Sequence, residues 1–242
     1  MTVIVRFICG VNCLFRGAWI LLTRPGLKRW AVAPILLSIL VFIGFVTAAS
    51  WVAAHYGAEV GHGWWGTIAS IAAGTAAFIA TLLIGFFTYA IVANIVASPF
   101  NDVLSHKTEM LLAGTTGEVR GVSFTRDTLR MILSALKLAV VQAAIVVPAL
   151  VLLLIPVIGV FAFAVPASVL LGLTFLDYPL ERRKVSTGGK LSFCWKHFAE
   201  VLGFGAVTYA LMLVPIVNVL VIPPAAVGAT VLYLRLAKVN PH

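Results

Sequence analysis

Four long stretches without formal charge constrain this chain more than any other feature: residues 30–58, 60–101, 138–176 and 201–234 contain no Asp, Glu, Lys or Arg. A helix needs about 20 apolar residues to cross the hydrocarbon core, and each stretch exceeds that. Lipid offers no partner to open backbone, so such stretches cross as helices. The chain is therefore read as an all-α integral membrane protein. Only 10% of its residues are charged, against about 25% in a soluble domain, which excludes a disordered or ordinary soluble protein.

The charged residues between the stretches set the orientation. Lys and Arg number five in 1–29, five in 102–137, five in 177–200 and two in 235–242, whereas the connection at 53–63 has Glu59 and no cation. The positive-inside bias places the four basic regions in the cytoplasm and 53–63 outside. One membrane domain, 1–242, follows: an interfacial amphipathic helix at 1–24, transmembrane helices at 25–54 and 64–98, and a cytoplasmic helical segment at 99–137. A first helical hairpin at 138–176, a basic cytoplasmic loop at 177–200 and a second hairpin at 201–234 complete it. Arg6 and Arg24 share one angle at 100° per residue and Arg16 lies about 80° away, which predicts the interfacial helix. Because Arg6 and Arg16 interrupt the apolar N-terminus, it does not read as a removable signal peptide.

Each hairpin enters and leaves on the cytoplasmic side. In 201–234 each arm has about 14 to 16 residues, or about 21–24 Å, short of the roughly 30 Å core. Both break at similar sequences, Ile155-Pro156-Val157-Ile158-Gly159 and Val214-Pro215-Ile216-Val217-Asn218, since proline removes a backbone donor and Gly or Asn tolerates the turn. Two Pro-broken, re-entrant hairpins related as a weak repeat are expected. Two ordinary spanning hairpins with slightly short helices remain the alternative.

The strongest local constellation is Thr23-Arg24-Pro25-Gly26-Leu27-Lys28-Arg29-Trp30. Pro25 suits the first helical position and leaves the amides of Gly26, Leu27 and Lys28 at the positive end of a helix dipole. Such an end binds anions, and Arg24, Lys28 and Arg29 add charge-assisted donors. The plainer reading is a basic helix end lying against lipid phosphates. A second cluster is Asn94, Ser98-Pro99-Phe100-Asn101-Asp102, Ser105, His106 and Glu109. Ser98 and Pro99 read as the cap and first position of a new helix, on which Asp102, His106 and Glu109 share a face. They line a pore mouth or take part in proton coupling, or else form a solvated face paired with Lys107. Arg182-Arg183-Lys184 reads as a positive-inside anchor that could also gather anions, and Asn218 as a polar residue at the second hairpin's tip, either functional or capping its own turn.

Other chemistries have no residues to carry them. There is no Walker, G-x-S-x-G or H-E-x-x-H motif, and the His spacing suits no metal. Cys9, Cys13 and Cys194 form neither a C-x-x-C pair nor a disulfide framework. No Asp, Glu, Lys or Arg lies within the uncharged stretches, so an intramembrane carboxylate relay has no obvious members. The expectation is no enzyme, no cofactor and no metal. A net charge of +9 is explained by membrane orientation, so no nucleic-acid partner is expected.

The ordered set Gly17-Ala18-Trp19, Arg24-Pro25-Gly26-Leu27-Lys28-Arg29, Asn94-Ile95-Val96-Ala97-Ser98-Pro99-Phe100-Asn101, Asp177-Tyr178-Pro179 and Val214-Pro215-Ile216-Val217-Asn218 resembles the bacterial CysZ sulfate permeases, from about Phe15 to Leu234. The resemblance implies a homo-oligomeric, multi-pass protein of the bacterial inner membrane that admits sulfate for cysteine biosynthesis without ATP hydrolysis and is inhibited by sulfite. It implies spanning helices with partly inserted hairpins, contacts with membrane lipids, and a sulfate site at Gly26, Leu27, Lys28 and Arg29. Arg24, Asn101, Asp102, His106, Glu109 and Asn218 are the candidates for a pore or its mouth. Lys28 stands where the family commonly has arginine, keeping the charge and losing the planar fork. The alternatives are a proton-coupled sulfate carrier using Asp102, His106 or Glu109, and a non-transporting membrane scaffold.

Overall fold

The computed structural model describes residues 2–56, 64–114, 124–152, 154 and 158–239. Those residues are helical almost throughout, with no strand among them. The elements are α1 (Val3–Thr23), α2 (Pro25–Tyr56), α3 (Trp64–Ala113), α4 (Phe124–Leu152), α5 (Ile158–Arg182), α6 (Thr187–Lys196), α7 (Phe198–Met212) and α8 (Pro215–Val239). Among the described residues, five stretches are long and apolar enough to cross a membrane: Val3–Thr23, Pro25–Trp51, Leu133–Val151, Ala162–Arg182 and Leu220–Ala237. The chain is thus an all-α, multi-pass membrane protein.

The helices form two units, one of residues 30–100 and one of 1–29 with 101–242. In the first, the Trp30 and Phe100 rings approach to 6.3 Å between centroids. At the opposite ends of this pair of helices, Trp51 and Trp64 are exposed, as suits indole rings at a membrane interface. Leu36, Leu40, Phe42, Ile43 and Ile71 are exposed between those ends, which is the surface a lipid-facing helix presents.

The second unit is built by backbone-to-backbone approach. A Cβ on Gly10 would lie 2.0 Å from the Glu200 carbonyl oxygen, and one on Gly203 2.1 Å from that of Phe7. These glycines let α1 and α7 touch, as small residues do where apolar helices pack without a hydrophobic driving force between them. Gly17 meets Gly228 on α8, and Gly205 meets the Ser168 carbonyl on α5 in the same way. Around these contacts Leu14, Leu173, Leu176, Val201, Phe204, Val227 and Leu232 are buried. Phe175 and Phe204 meet edge to face at 6.4 Å.

Three boundaries differ from expectation. Ser98-Pro99 does not begin a new helix, because α3 runs through Pro99. Proline removes one donor, and the helix continues past it without a break. The stretch 177–200, expected as a loop, holds the end of α5, all of α6 and the start of α7. Lys184 adopts the left-handed conformation at φ 55°, its N–H donating to the Glu181 carbonyl at 2.8 Å and that of Val185 to Leu180 at 3.2 Å, a Schellman closure. Ser186 then caps α6 by accepting the Gly189 amide at 3.2 Å. Finally, α4 and α5 extend beyond the uncharged stretch to 29 and 25 residues, because Lys137 and Asp177 lie within helices. Both arms of the first hairpin therefore exceed the roughly 20 residues of a crossing, whereas α7, at 15 residues or about 22 Å, stays short of one. The break expected at 155–157 and most of the 53–63 connection lie outside the described residues.

Candidate functional site

The chain turns from α1 into α2 at Arg24, whose backbone is extended at φ −107° and ψ 101°. Its N–H closes α1 by donating to the Ile20 carbonyl at 3.1 Å, and its carbonyl accepts the Leu27 amide at 3.0 Å. Thr23 Oγ1 donates to the Trp19 carbonyl at 2.8 Å, so the last turn of α1 is closed by a side chain as well. Pro25 opens α2 and has no N–H to leave unpaired.

This geometry corrects one detail of the expected anion site. Of the amides at Gly26, Leu27 and Lys28, that of Leu27 is occupied by the chain's own Arg24 carbonyl, because the tight turn brings the two within three residues. Those of Gly26 and Lys28 have no backbone acceptor among the described residues. A Cβ on Gly26 would meet nothing within 4 Å, leaving open room in front of the helix end. Leu27 is buried and anchors the turn, while Arg24, Lys28 and Arg29 are exposed. No salt bridge engages these three cations among the described residues.

The second cluster lies in a different environment. Asn101 is buried and Asp102 and His106 are half-buried, whereas Glu109 is only 1% exposed. Glu109 does not share a solvated face with Asp102. Arg182 Nη1 donates to Asp102 Oδ1 at 2.7 Å, and Nη2 contacts both Ser105 Oγ at 2.7 Å and Glu109 Oε2 at 3.2 Å. Arg183 Nη2 pairs with Glu109 Oε1, and its Nη1 donates to the Pro179 carbonyl at 2.8 Å. The guanidinium of Arg183 lies 4.3 Å above the Tyr233 ring, at cation–π distance. Ser105 and Thr230 share a hydrogen bond of 2.7 Å. The residues placed at a pore mouth thus tie the end of α3 to α5 and α8. Asn218 lies one turn inside α8 and exposed, its N–H donating to the Val214 carbonyl at 2.9 Å. It is not at the tip, which falls at Leu213 and Val214.

Sequence reasoning missed a third group entirely. Lys190, on α6, is 0% exposed and reaches Asp177 Oδ1 at 2.5 Å, Glu181 Oε2 and Ser134 Oγ at 3.1 Å. The approach to Asp177 is a charge contact, since that oxygen takes part in no aligned hydrogen bond. Ser134 Oγ also donates to Glu181 Oε2 at 3.0 Å. Asp177 and Glu181 stand one helical turn apart, the spacing that puts two acids on one face, and that was the available signal. On the other side of the unit Arg6 Nε donates to Glu200 Oε1 at 2.7 Å and Nη2 to the Lys196 carbonyl at 3.0 Å. Nearby, burial holds the His197 pKa below its ordinary value against the opposing pull of Glu200, and burial alone pushes the Cys194 thiol up to about 12. Among the described residues no three His, Cys, Asp or Glu side chains gather in a way that could hold a metal ion.

Fold and site together define a multi-pass helical membrane protein with an open, cationic helix start and buried cations paired with carboxylates. Residues 13–223 match the family described as sulfate transporter CysZ/etoposide-induced protein 2.4, and the chain belongs to that family. It is 31% identical to the sulfate transporter CysZ of Pseudomonas aeruginosa over 227 residues, covering 89% of this chain and 90% of that protein. It is 30% identical to the protein of the same name from Pectobacterium atrosepticum, covering 93% and 84%. The corresponding Pseudomonas fluorescens protein is 28% identical, with 89% of each chain covered. The family is one of transporters, not enzymes.

Proposed function

We propose that this chain is a sulfate permease of the bacterial inner membrane, assembled as a homo-oligomer among membrane lipids, that supplies sulfate for cysteine biosynthesis without hydrolysing ATP and is blocked by sulfite. Capture takes place at the start of α2. The amides of Gly26 and Lys28 and the side chains of Arg24, Lys28 and Arg29 meet a tetrahedral dianion there, with Leu27 fixing the turn. The observation that carries the reading is the helix start itself: among the described residues, two amides without backbone acceptors, open space at Gly26 and three cations outside any salt bridge. Helix dipole, amide donors and charge act together at such an end.

Sulfate moving inward against a negative-inside potential is opposed by about 2.3 kcal/mol per charge per 100 mV, so uptake is drawn by consumption inside or by a coupled ion. The pore runs past Asn101, Asp102, His106, Glu109 and Asn218, and α7, too short to cross alone, forms with α8 the re-entrant hairpin beside it. Proteoliposomes loaded without ATP test the function: labelled sulfate enters, sulfite stops it, and an imposed pH gradient separates a conduit from a proton-coupled carrier. Empty lumens in every condition would mark a scaffold. Hydrogen bonds to charged groups are worth about 1.5–3 kcal/mol, so Gly26→Val with Arg29→Ala weakens sulfate binding about 10- to 100-fold. Arg16→Ala, which removes an exposed cation away from the helix start, leaves binding nearly unchanged. Equal losses would show that diffuse charge, not the amides, holds the anion.

A further inference from the structure

Two guanidinium groups converge on one carboxylate where α5 ends. Glu109 spends both oxygens there, Oε1 on Arg183 and Oε2 on Arg182. Even so, the Arg182 Nε–H is buried without an acceptor among the described residues, on a side chain 7% exposed. A flat carboxylate has run out of oxygens before the fork has run out of donors. Asp102 and Ser105 hold the other edge of Arg182 at 2.7 Å each, and Tyr233 supports Arg183 from below. The fork therefore keeps its shape independently of Glu109.

We propose that this pair of arginines is a second oxyanion station, kept closed by the chain's own Glu109, whose carboxylate occupies the place that a tetrahedral dianion takes when it displaces it. The proposal rests on the sulfate-permease reading and extends it from capture to passage. Four oxygens on a tetrahedron can bridge both Nη2 groups and also accept the Nε–H that the carboxylate leaves unmet. Access is from the side of Asp102, whose carboxylate is about half exposed, and of Arg183. Charge balance makes the station a place of passage and not of storage. Arg182 and Arg183 against Asp102 and Glu109 are neutral, and a dianion in place of Glu109 leaves the group one charge negative. Sulfate then binds well enough to enter and weakly enough to leave, as conduction requires. The helix-start site, without carboxylates, is the tighter of the two.

Equilibrium binding of radiolabelled sodium sulfate to the purified full chain in detergent tests this. A site closed part of the time binds with apparent affinity reduced by the open fraction, so Glu109→Gln, which keeps shape but loses the competing charge, tightens the second site about tenfold or more. A purely structural ion pair predicts unchanged or weaker binding, and that result overturns the proposal. In the Gly26→Val/Arg29→Ala background the gain from Glu109→Gln persists if the stations are separate. Its disappearance there overturns the second station while leaving the capture reading intact. If instead the Gly26→Val/Arg29→Ala chain binds as wild type and Glu109→Gln still sharpens binding, the capture reading fails and the second station stands. Should the glutamine variant fail to fold, Glu109→Asp retracts the carboxylate by one methylene and tightens binding to a smaller degree; no tightening in that variant overturns the proposal.

Discussion

Lys190→Met removes the ammonium from a site where its loss is most costly. Lys190 is 0% exposed, and its nitrogen lies between Asp177 and Glu181 with Ser134 completing the shell. Without it, two carboxylates one helical turn apart face each other with no cation between them. Breaking a buried pair by deleting one partner costs about 3–5 kcal/mol. Asp177 keeps 25% of its side chain open to solvent, so water offsets part of that and the low end, about 3 kcal/mol, is expected. At roughly 2–4 °C per kcal/mol for a chain of this size, the melting temperature in detergent falls by about 6–12 °C. Converting all three charges at once, in Lys190→Met/Asp177→Asn/Glu181→Gln, removes the unpaired acids together with the base and recovers most of the loss. A single variant that melts within about 2 °C of wild type, or a triple variant that melts below the single one, would refute the account of Lys190 as the counter-charge to α5.

Three further outcomes follow from the same unit. Burial lowers the folded-state pKa of His197, so between its ordinary and its lowered value the unfolded chain binds more protons and stability drops as pH falls below about 6.5; His197→Gln flattens that part of a melting-versus-pH curve. The Cys194 thiol, raised to about 12 by burial, resists maleimide at neutral pH until denaturant is added, as peptide mass spectrometry would read out. Gly205→Ala places a Cβ 1.8 Å from the Ser168 carbonyl and forces α5 from α7 at a cost of about 3 kcal/mol or more, whereas Gly44→Ala, which meets nothing within 4 Å, stabilises its helix by about 0.5–1 kcal/mol; thermal melts of the two variants should move in opposite directions.

Much of the fold is legible because charge-free length is a one-dimensional property. The span at α2 can be counted off the chain, and Pro25 marks the start of α2 because its missing donor costs nothing there. The Pro rule fails at Pro99, where the same residue type sits inside α3: a single lost donor marks a possible start but does not oblige the helix to end there. Gly26 to Arg29, the proposed capture residues, are visible as types in order, yet the bond from the Leu27 amide to Arg24 requires the turn's dihedral angles. From sequence alone, Glu109 is left open between a pore mouth, proton coupling and a solvated face paired with Lys107, and shows no link to Arg182 or Arg183. Its partners, Arg182 and Arg183, lie more than 70 residues away, and no spacing rule spans that distance.

That failure also sharpens what the cationic residues mean. In the sequence, Arg24, Lys28, Arg29, Arg182, Arg183 and Lys190 are equivalent positive-inside charges, and orientation accounts for all of them. In the structure they divide. Lys190 and Arg182 are buried and paired with carboxylates from other segments, because an unpaired charge taken out of water costs several kcal/mol. Arg24, Lys28 and Arg29 are exposed, and no salt bridge among the described residues engages them, although eight acids are available in the chain. A fold that pairs its buried cations and leaves Arg24, Lys28 and Arg29 exposed beside two amides without backbone acceptors among the described residues keeps positive potential at the start of α2. Supplying a carboxylate there by mutation is therefore the most direct challenge: Leu22→Glu, at an exposed position near the end of α1, adds an intramolecular anion to compete at the helix start. Sulfate affinity should fall about tenfold, as expected of a site left open about one-tenth of the time. An unchanged affinity would mean that the anion is held elsewhere.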